Sequence, residues 1–391
     1  MAKNPSLDMK PLTLEIHGTS AFSRGSELVT VAIAEQVRAR FPNVRLVVPP
    51  GYGGFAPRSR HGLLTTWEMT TGVRTKNLLR FAPSPLKNIA GIINPDEIDV
   101  VLDASGFSLS DDLGPKPAEQ LLKKMNKRQR RHQSLILLPQ GFGPFTHPAV
   151  ATAARKVMER ASLVIARDDV SFTAASALTE RSKLRRFPDV ACDIASTFPR
   201  DFDFPHHFSA IVPSAEVLDR TKKPDEYLAL LTFAANALRR RKLNPVFILH
   251  HNSEDHRVMN GLSDLAPDIP VWEQREPKAL KGIIGRATLV IGSRYHALVN
   301  ALMQGVPCIA AGWSHRFTEL FKDFDCEDLA LGEPTDIGSL DRLINQLADN
   351  SVRQDLTQRI RQRASRLAIQ SREMWTELEP FLTGENGTHE R

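Results

Sequence analysis

The sequence predicts an α/β protein made of two Rossmann-like domains that face a cleft. The chain has 391 residues, which is more than one hydrophobic core usually holds. Short apolar runs alternate with amphipathic stretches, as expected for parallel strands joined by crossover helices. Residues 198–207 have no periodicity and are rich in Pro, Asp and aromatic residues, so we expect them to link the domains.

The first predicted domain covers residues 1–200. An amphipathic stretch over 27–40 predicts its first helix. Five apolar runs predict its strands, at 12–18, 43–50, 99–106, 134–145 and 161–168. Helical stretches lie between them, so the sheet should be parallel.

The second predicted domain covers residues 201–391 and repeats the pattern. Helices are expected over 226–241 and 296–304, the latter ending before Gly305 with Pro307 just beyond, which is a common stop signal. Four apolar runs predict strands at 209–214, 245–251, 288–293 and 306–312. Further helices are expected near the C-terminus, over 339–382.

Composition narrows the class of protein. The formal net charge of +6 suits anionic small molecules or a visit to an anionic membrane surface, and no nucleic-acid-binding motif is present. Cys192, Cys308 and Cys326 are widely spaced, which argues against structural zinc or a disulfide framework. We find no apolar segment typical of a signal peptide or a membrane helix. We therefore expect a cytoplasmic protein that could visit the inner face of the membrane.

One strand-to-helix turn carries the residues best suited to chemistry. A predicted strand ends at Ser293 and Arg294, and His296 opens the next helix. Ligands of open α/β sheets bind beyond the carboxyl ends of strands, and a helix N-terminus attracts anions. Arg offers a planar fork to carboxylate or phosphate, and His can move a proton near neutral pH. The turn therefore predicts a site for a small, dense anion.

The same turn forms a recognisable motif with the strand that follows. It reads Gly292-x-Arg294-x-His296-Ala297 and continues to the Gly–Val–Pro of 305–307. A Gln–Gly–x–Gly–Pro loop lies at 140–144, well before it in the chain.

In this combination the chain resembles the polysaccharide pyruvyltransferase family. Further matches are an Ala–x5–Arg–Asp strand at 161–168 and the PDVACD segment at 188–193. Two segments depart from the family pattern: SRGSEL at 23–28 stands where an Asn–x–Gly–Asp/Ser–Glu loop is usual, and DASGF at 103–107 has only one of the usual glycines. Both departures fall in the half expected to bind the acceptor.

The resemblance implies a transferase that moves a pyruvyl group from phosphoenolpyruvate onto saccharide hydroxyls, forming a pyruvate ketal. It implies the GT-B arrangement of domains and no cofactor besides the donor substrate. Arg294 and His296 would then be catalytic. The donor would contact Ser293, Arg294, Tyr295 and His296.

Two roles are possible for the side chain of Arg167. As the end of a strand in the first domain, it could point at the same donor. It could equally form an ion pair with Asp168 or Asp169 at the strand end.

The first domain is the expected acceptor side, and the second the phosphoenolpyruvate side. The acceptor would be a saccharide, either free or lipid-linked, in the synthesis of a polysaccharide such as an exopolysaccharide. A basic run at 123–132 could favour a lipid-linked acceptor at a membrane surface. The expected acceptor-binding residues are Arg24, Glu27, Asp103, Ser105, Gly106, Gln140 and Gly141.

A metal site is not expected. His250, His251, Asp255 and His256 look like ligands at first, but they do not share one face of a helix and no Cys assists. Asp255 or His251 could instead reach the donor.

Two other functions compete with this hypothesis. A GT-B glycosyltransferase that uses a nucleotide sugar would need a carboxylate for the ribose, for which Glu319 is a candidate. A non-catalytic carbohydrate-binding protein could use the same scaffold. The Arg–x–His turn favours a small dense anion over a nucleotide. No sequence pattern indicates the oligomeric state.

Overall fold

The computed structural model describes residues 11–66, 87, 89–128, 133–199, 205, 207–221, 223–250, 253–311, 315–331 and 336–384. It contains two compact units. Unit 1 consists of Met1–Ala21, Val29–Asp189 and Glu373–Arg391, and unit 2 consists of Phe22–Leu28 and Val190–Arg372. The sequence predicted a boundary at residue 200, whereas the units divide between Asp189 and Val190. Residues 200–204 and 206 of the predicted linker lie outside the described residues.

Two segments belong to the unit that chain order would not predict. Phe22–Leu28 joins unit 2, where the backbone amide of Arg24 donates to the carbonyl of His250 at 2.9 Å. At the other end, Glu373–Arg391 joins unit 1, where Arg185 pairs with Glu377. In each case, a hydrogen bond or an ion pair connects the segment to the unit to which it belongs.

Unit 1 is built on an eight-stranded sheet whose paired strands are all parallel. Its strands are β1 (Thr13–His17), β2 (Arg45–Val48), β3 (Leu64–Thr66), β4 (Ile92–Ile93), β5 (Val100–Asp103), β6 (Ser134–Gln140), β7 (Leu163–Ala166) and β8 (Leu184–Arg186). The spatial order is β4-β3-β2-β1-β5-β6-β7-β8. The order therefore reverses between β1 and β5, which is where open α/β sheets usually bind ligands.

Within the described residues, five α-helices accompany the strands before Asp189. They are α1 (Arg24–Arg40), α2 (Phe55–Arg60), α3 (Lys116–Arg128), α4 (Pro148–Arg160) and α5 (Asp169–Ser176). Apolar residues of α3 and α4 pack with strand residues in one buried cluster. The sheet is thus covered as parallel sheets require.

Unit 2 contains a five-stranded parallel sheet in the order β11-β10-β9-β12-β13. Its strands are β9 (Ser209–Val212), β10 (Pro245–Leu249), β11 (Val271–Glu273), β12 (Leu289–Gly292) and β13 (Cys308–Ala310). The helices that follow Asp189 are α6 (Ala215–Arg220), α7 (Pro224–Arg240), α8 (Glu254–Leu262), α9 (Pro277–Ile284), α10 (Tyr295–Leu302), α11 (His315–Asp323), α12 (Ile337–Ala348) and α13 (Asn350–Thr383). Here the strand order reverses between β9 and β12.

The predicted fold of two Rossmann-like α/β units with parallel sheets is confirmed. All nine predicted strands are present, and the four that were not predicted are β3, β4, β8 and β11. These four contain only two or three residues each, and β3, β8 and β11 include polar residues (LTT, LRR and VWE). No apolar run therefore marks them in the sequence.

Candidate functional site

The Arg–x–His turn lies at the carboxyl end of the unit 2 sheet, beside the point where strand order reverses. Strand β12 ends at Gly292, and helix α10 begins at Tyr295. Arg294 is the N-cap residue of this helix, but its side chain makes no capping hydrogen bond. The guanidinium is therefore directed to other partners, next to a helix N-terminus with partial positive charge.

Arg294 is held by a buried carboxylate. Its Nη2 donates to Oδ1 of Asp255, the second residue of α8, whose side chain is completely buried. Backbone amides complete the shell of Asp255, from His250 at 3.0 Å and from Ala215 at 3.4 Å. Several donors therefore converge on this carboxylate, which fixes the position of the guanidinium.

The guanidinium of Arg294 keeps donor capacity for a ligand. Its Nε is buried and has no hydrogen-bond partner among the described residues, although an Arg side chain has five N–H donors. Buried donors without partners are uncommon in proteins and call for an explanation. An anion bound beside the helix N-terminus would supply the missing acceptor.

Nearby Tyr227 is an uncharged member of the same buried region. Its hydroxyl accepts from the backbone amide of Ser214 at 2.9 Å. Burial raises the pKa of Tyr227 to about 12, so it stays a neutral phenol at physiological pH. It therefore does not compete with Asp255 for the positive charge of Arg294.

His296 is packed between an aromatic ring and a glycine. Its imidazole stands edge-on to the ring of Tyr295, with ring centres 5.4 Å apart, and Tyr295 in turn contacts Phe317. A Cβ placed on Gly25 would lie 2.7 to 2.9 Å from Cβ, Nδ1 and Cγ of His296. Only glycine leaves room for the imidazole in this position.

Arg24 and Glu27 lie in unit 2, in the first turn of α1. Nη1 of Arg24 donates to the fully buried carboxylate of Glu27. The pair was expected on the acceptor side in the first domain. That placement is wrong for the structure, because Phe22–Leu28 packs with unit 2 beside His296.

A second polar cluster lies where strand order reverses in unit 1. Asp103 at the end of β5 is completely buried, and its Oδ1 lies 2.8 Å from Nδ1 of His17 at the end of β1. The same oxygen accepts from Oγ of Ser105 at 2.6 Å, and Oδ2 accepts from Nε2 of Gln140 at 3.0 Å. Burial alone would raise the pKa of Asp103, but the contacts with His17, Ser105 and Gln140 hold it below its ordinary value.

Glycines let the loops of this cluster approach one another. Gly18 has a φ of +80°, and a Cβ there would lie 2.0 Å from Oγ of Ser105. A Cβ on Gly141 would lie 2.8 Å from Cδ2 of Phe107. Gly106 also has positive φ, at +75°, and its carbonyl accepts from the amide of Gly141 at 2.9 Å.

Arg167 forms a buried ion pair within unit 1, but with a partner that was not predicted. Its Nη1 lies 3.1 Å from Oδ2 of Asp189, and both side chains are almost fully buried. Asp168 instead caps α5 by accepting from the amide of Ser171 at 2.7 Å. Asp169 pairs with Arg186 at 2.9 Å. Both neighbouring carboxylates thus have other partners, and Arg167 pairs with Asp189 instead.

The predicted site residues thus fall into two groups. Unit 2 holds Arg24, Glu27, Ser293, Arg294, Tyr295 and His296. Unit 1 holds Asp103, Ser105, Gly106, Gln140, Gly141 and Arg167. Sequence reasoning missed His17 and Gly25. His17 could have been found, because it ends the first predicted strand just as Asp103 ends the third, and parallel strands bring such ends together.

Several histidines and carboxylates lie close in sequence to the end of β10. Among the residues that the structure describes, no three His, Cys, Asp or Glu side chains are grouped to hold a metal ion. Asp255 is engaged by Arg294, and His256 lies 2.8 Å from Glu273. His251 lies outside the described residues.

The sequence was compared with known protein families. A model of the polysaccharide pyruvyl transferase family matches residues 24–315. The chain belongs to this family. The match covers well over half of the chain and includes the Arg–x–His turn and the Gln–Gly–x–Gly–Pro loop, and it makes the protein a transferase.

Solved structures share the fold of this pyruvyl transferase family member at low sequence identity. A putative UDP-N-acetylglucosamine 2-epimerase from Listeria monocytogenes has 12% identity and a TM-score of 0.60, over 90% of this chain and 91% of that chain. S. aureus MnaA, solved with UDP, has 10% identity and a TM-score of 0.61, over 96% and 97%. Anabaena Alr3699/HepE, solved with UDP and glucose, has 14% identity and a TM-score of 0.55, over 94% and 98%.

At these identities the likeness shows the fold alone, which is the predicted GT-B fold. A search of curated proteins found no match.

The first prediction concerns the buried pair in unit 2. We expect Asp255→Ala to lower the free energy of unfolding by roughly 3–5 kcal/mol, because it leaves the Arg294 cation without its buried partner. Urea denaturation measures the change. Asp219→Ala is the matched control, since Asp219 forms an exposed pair with Arg257 and should cost less than about 1 kcal/mol. Equal costs for the two variants would contradict a special role for the Arg294 pair.

The second prediction concerns the glycine beside His296. Gly25→Ala should displace the imidazole and lower transferase activity at least about tenfold. The free energy of unfolding should also fall by about 1–3 kcal/mol, because rotation of the ring cannot relieve an overlap with Cβ of His296. Imidazole NMR shifts and activity together check it. Gly51→Ala serves as control, since a Cβ there meets nothing within 4 Å. An unchanged His296 signal in Gly25→Ala would contradict the close packing.

The third prediction concerns pH. Because the folded pKa of Asp103 lies below its ordinary value of 3.8, its ionised form stabilises the fold above that value. This stabilisation is lost as pH falls through the lower, folded pKa. Wild type should therefore lose its stability advantage over Asp103→Asn on acidification below about pH 4. Chemical denaturation at several pH values measures the difference, and an advantage that grows on acidification would contradict the assignment.

Proposed function

We propose that this protein transfers the pyruvyl group of phosphoenolpyruvate to two hydroxyls of a saccharide and forms a pyruvate ketal. Family membership over residues 24–315 supports this reaction. The observation that carries the proposal is the guanidinium of Arg294, fixed by buried Asp255 beside His296 at a helix N-terminus. Phosphoenolpyruvate has a carboxylate and a phosphate group attached to the same carbon, C2, and both are anions that a helix N-terminus with an arginine attracts.

In this proposal unit 2 binds the donor. Arg294 would hold the carboxylate or phosphate through donors not used by Asp255, with help from Ser293 and the N-terminal turn at Tyr295. The packing of Gly25 against His296 supports a place for Arg24 on the donor side as well. His296 would be the general acid, since imidazole exchanges protons near neutral pH.

The chemistry then proceeds in two steps. The oxygen of one saccharide hydroxyl bonds to C2 of phosphoenolpyruvate and gives up its proton, which ends on the departing phosphate. The C2=C3 electron pair meanwhile takes a proton from His296 at C3. The C2–O bond to phosphate next breaks, with its electron pair leaving on phosphate. The second hydroxyl bonds to C2 and returns a proton to His296. Positive groups such as Arg294 stabilise the leaving phosphate electrostatically.

The acceptor is proposed to contact unit 1. Asp103, Ser105 and Gln140 form a polar cluster, and the Gly106 and Gly141 backbones lie close together at its edge. Ser105 is the partly exposed member of this cluster, and its hydroxyl suits the hydroxyls of a saccharide. Asp103 and Gln140 are completely buried and support it from behind. Arg167 would place positive charge next to these loops. Its ion pair with Asp189 also gives it a structural role.

A lipid-linked acceptor is proposed from the charge of α3. Exposed Lys123 and Lys127 of α3, together with Lys156 of α4, line one groove. Such a surface attracts anionic lipid headgroups or a pyrophosphate linkage. No helix of the described part of the chain is long and apolar enough to cross a membrane. The last four residues of the basic run 123–132 lie outside that part.

A nucleotide-sugar glycosyltransferase is the second candidate, because proteins solved with UDP share the fold. Its expected ribose ligand, Glu319, lies in α11. A non-catalytic saccharide-binding role is the third. The three candidates differ in the small molecule that stabilises unit 2.

Thermal-shift titration with phosphoenolpyruvate, UDP and GDP tests the proposal. A ligand that binds only the folded state stabilises it by about 2.7 kcal/mol at 100 times Kd, so phosphoenolpyruvate should raise Tm by several degrees. Arg294→Ala should abolish the rise. Arg257→Ala should preserve it, because Arg257 is exposed and pairs with exposed Asp219 at 2.8 Å, whereas Arg294 pairs with buried Asp255.

Other thermal-shift results would contradict the proposed donor or its place at the Arg–x–His turn. Stabilisation by UDP or GDP without any effect of phosphoenolpyruvate would replace the proposal with a glycosyltransferase. Stabilisation by none of the three would favour the saccharide-binding role. A phosphoenolpyruvate effect that survives in Arg294→Ala would place the donor away from the Arg–x–His turn.

A further inference from the structure

His17 and Asp103 form a contact that neither the motifs nor the donor site explain. They are register partners at the carboxyl ends of the adjacent strands β1 and β5. Nδ1 of His17 lies 2.8 Å from Oδ1 of Asp103. This is the position in the unit 1 sheet where strand order reverses and where ligands of open α/β sheets bind.

The hydrogen bonds around Asp103 determine which nitrogen of His17 carries the proton. Ser105 and Gln140 both donate to the carboxylate, at 2.6 and 3.0 Å. An ionised carboxylate only accepts hydrogen bonds, so Nδ1 of His17 must donate to it. In the neutral imidazole, Nε2 then holds the lone pair. The second nitrogen of His17 is therefore a proton acceptor.

The ring of His17 is accessible, whereas its carboxylate partner is not. The side chain of His17 is 23% exposed and that of Asp103 is 0% exposed. Because Asp103 contacts Nδ1, the exposed part of the ring is the edge that contains Nε2. Gly18 allows this arrangement, since a Cβ there would collide with Ser105. The site thus presents one oriented basic nitrogen at the surface where a ligand would bind.

We propose that His17 is the general base that takes the proton from the acceptor hydroxyl, and that Asp103 positions it for this step. The proposal rests on the proposed function for the identity of the donor. A buried carboxylate behind an imidazole selects its tautomer and stabilises the imidazolium that forms. Ser105 and Gln140 hold the carboxylate in place. His17 is thus assigned as a catalytic residue and Asp103 as a positioning residue.

Protons and electrons balance with this assignment. As the first hydroxyl oxygen bonds to C2 of phosphoenolpyruvate, its proton passes to Nε2 of His17. The proton added at C3 comes from the general acid, which recovers it from the second hydroxyl. His17 then returns its proton to the departing phosphate. Both histidines end as they began, and the products are the ketal and inorganic phosphate.

A purely structural contact is the alternative explanation. If the imidazole only ties β1 to β5, a side chain that retains the hydrogen bond to Asp103 will serve equally well. Asn is such a side chain, because its Nδ2–H occupies the place of Nδ1–H but the amide has no basic nitrogen. His17→Asn therefore separates a base from a structural link.

The first measurement needs no substrate. With 15N-labelled histidine, NMR reports the protonation of each imidazole nitrogen, and the spectrum of His17→Asn assigns the His17 signals. We expect Nδ1 protonated and Nε2 unprotonated at mildly alkaline pH, with this preference lost in Asp103→Asn. A protonated Nε2 under these conditions, or no effect of Asp103→Asn, would overturn the proposal.

The second measurement is phosphate release from phosphoenolpyruvate in the presence of methyl hexopyranosides that carry a free 4,6-diol. General base catalysis typically contributes about 10²–10⁴-fold, so His17→Asn should lose activity in this range through kcat. Asp103→Asn should also lower kcat. His147→Asn is the matched control, because the His147 side chain is exposed and only its backbone contacts Asp111. Full activity of His17→Asn would overturn the proposal.

The two proposals can fail separately. If phosphoenolpyruvate fails to stabilise wild type, the proposed donor is wrong, while the NMR result still shows whether Asp103 orients His17 with Nε2 unprotonated. If phosphoenolpyruvate stabilises wild type and His17→Asn equally, the donor site stands and activity alone decides the role of His17. The NMR result also stands when no hexopyranoside of the panel is an acceptor.

Discussion

The buried contact between Arg294 and Asp255 is the constraint on which the geometry of the Arg–x–His turn depends. A fully buried carboxylate is costly unless donors surround it, and here two backbone amides and the guanidinium do so. One amide belongs to His250, directly after β10, and the other to Ala215, the first residue of α6 after β9. The strand ends of unit 2 therefore fix the position of Arg294. Arg294 thereby keeps a rigid orientation while its Nε remains available. Preorganised charge of this kind is what electrostatic catalysis requires.

Both units position a basic side chain with a buried carboxylate, but the basic residue differs. In each, a buried Asp near the reversal of strand order holds a basic side chain: Asp255 holds Arg294, and Asp103 holds His17. The partner differs in chemistry, because a guanidinium stays charged whereas an imidazole can accept a proton. One unit is thus suited to hold an anion, and the other to move a proton.

The sequence allowed prediction of the long strands, the helix at 296 and the residues of the Arg–x–His turn, because apolar periodicity and a local motif encode them. Asp255 was considered as a donor contact, and the structure instead places it behind Arg294. The location of Arg24 and Glu27 was mispredicted, since chain order does not reveal that Phe22–Leu28 packs with unit 2. The pairing of Arg167 with Asp189 was missed for the same reason: partners distant in sequence leave no local pattern.

A crystal structure of the protein with phosphoenolpyruvate tests the central claim most directly. The account predicts that one anionic group of the ligand accepts from Arg294 while Asp255 keeps its contact with the same guanidinium, and that C3 lies within reach of His296. Phosphoenolpyruvate bound elsewhere, with Arg294 unchanged, would contradict the account.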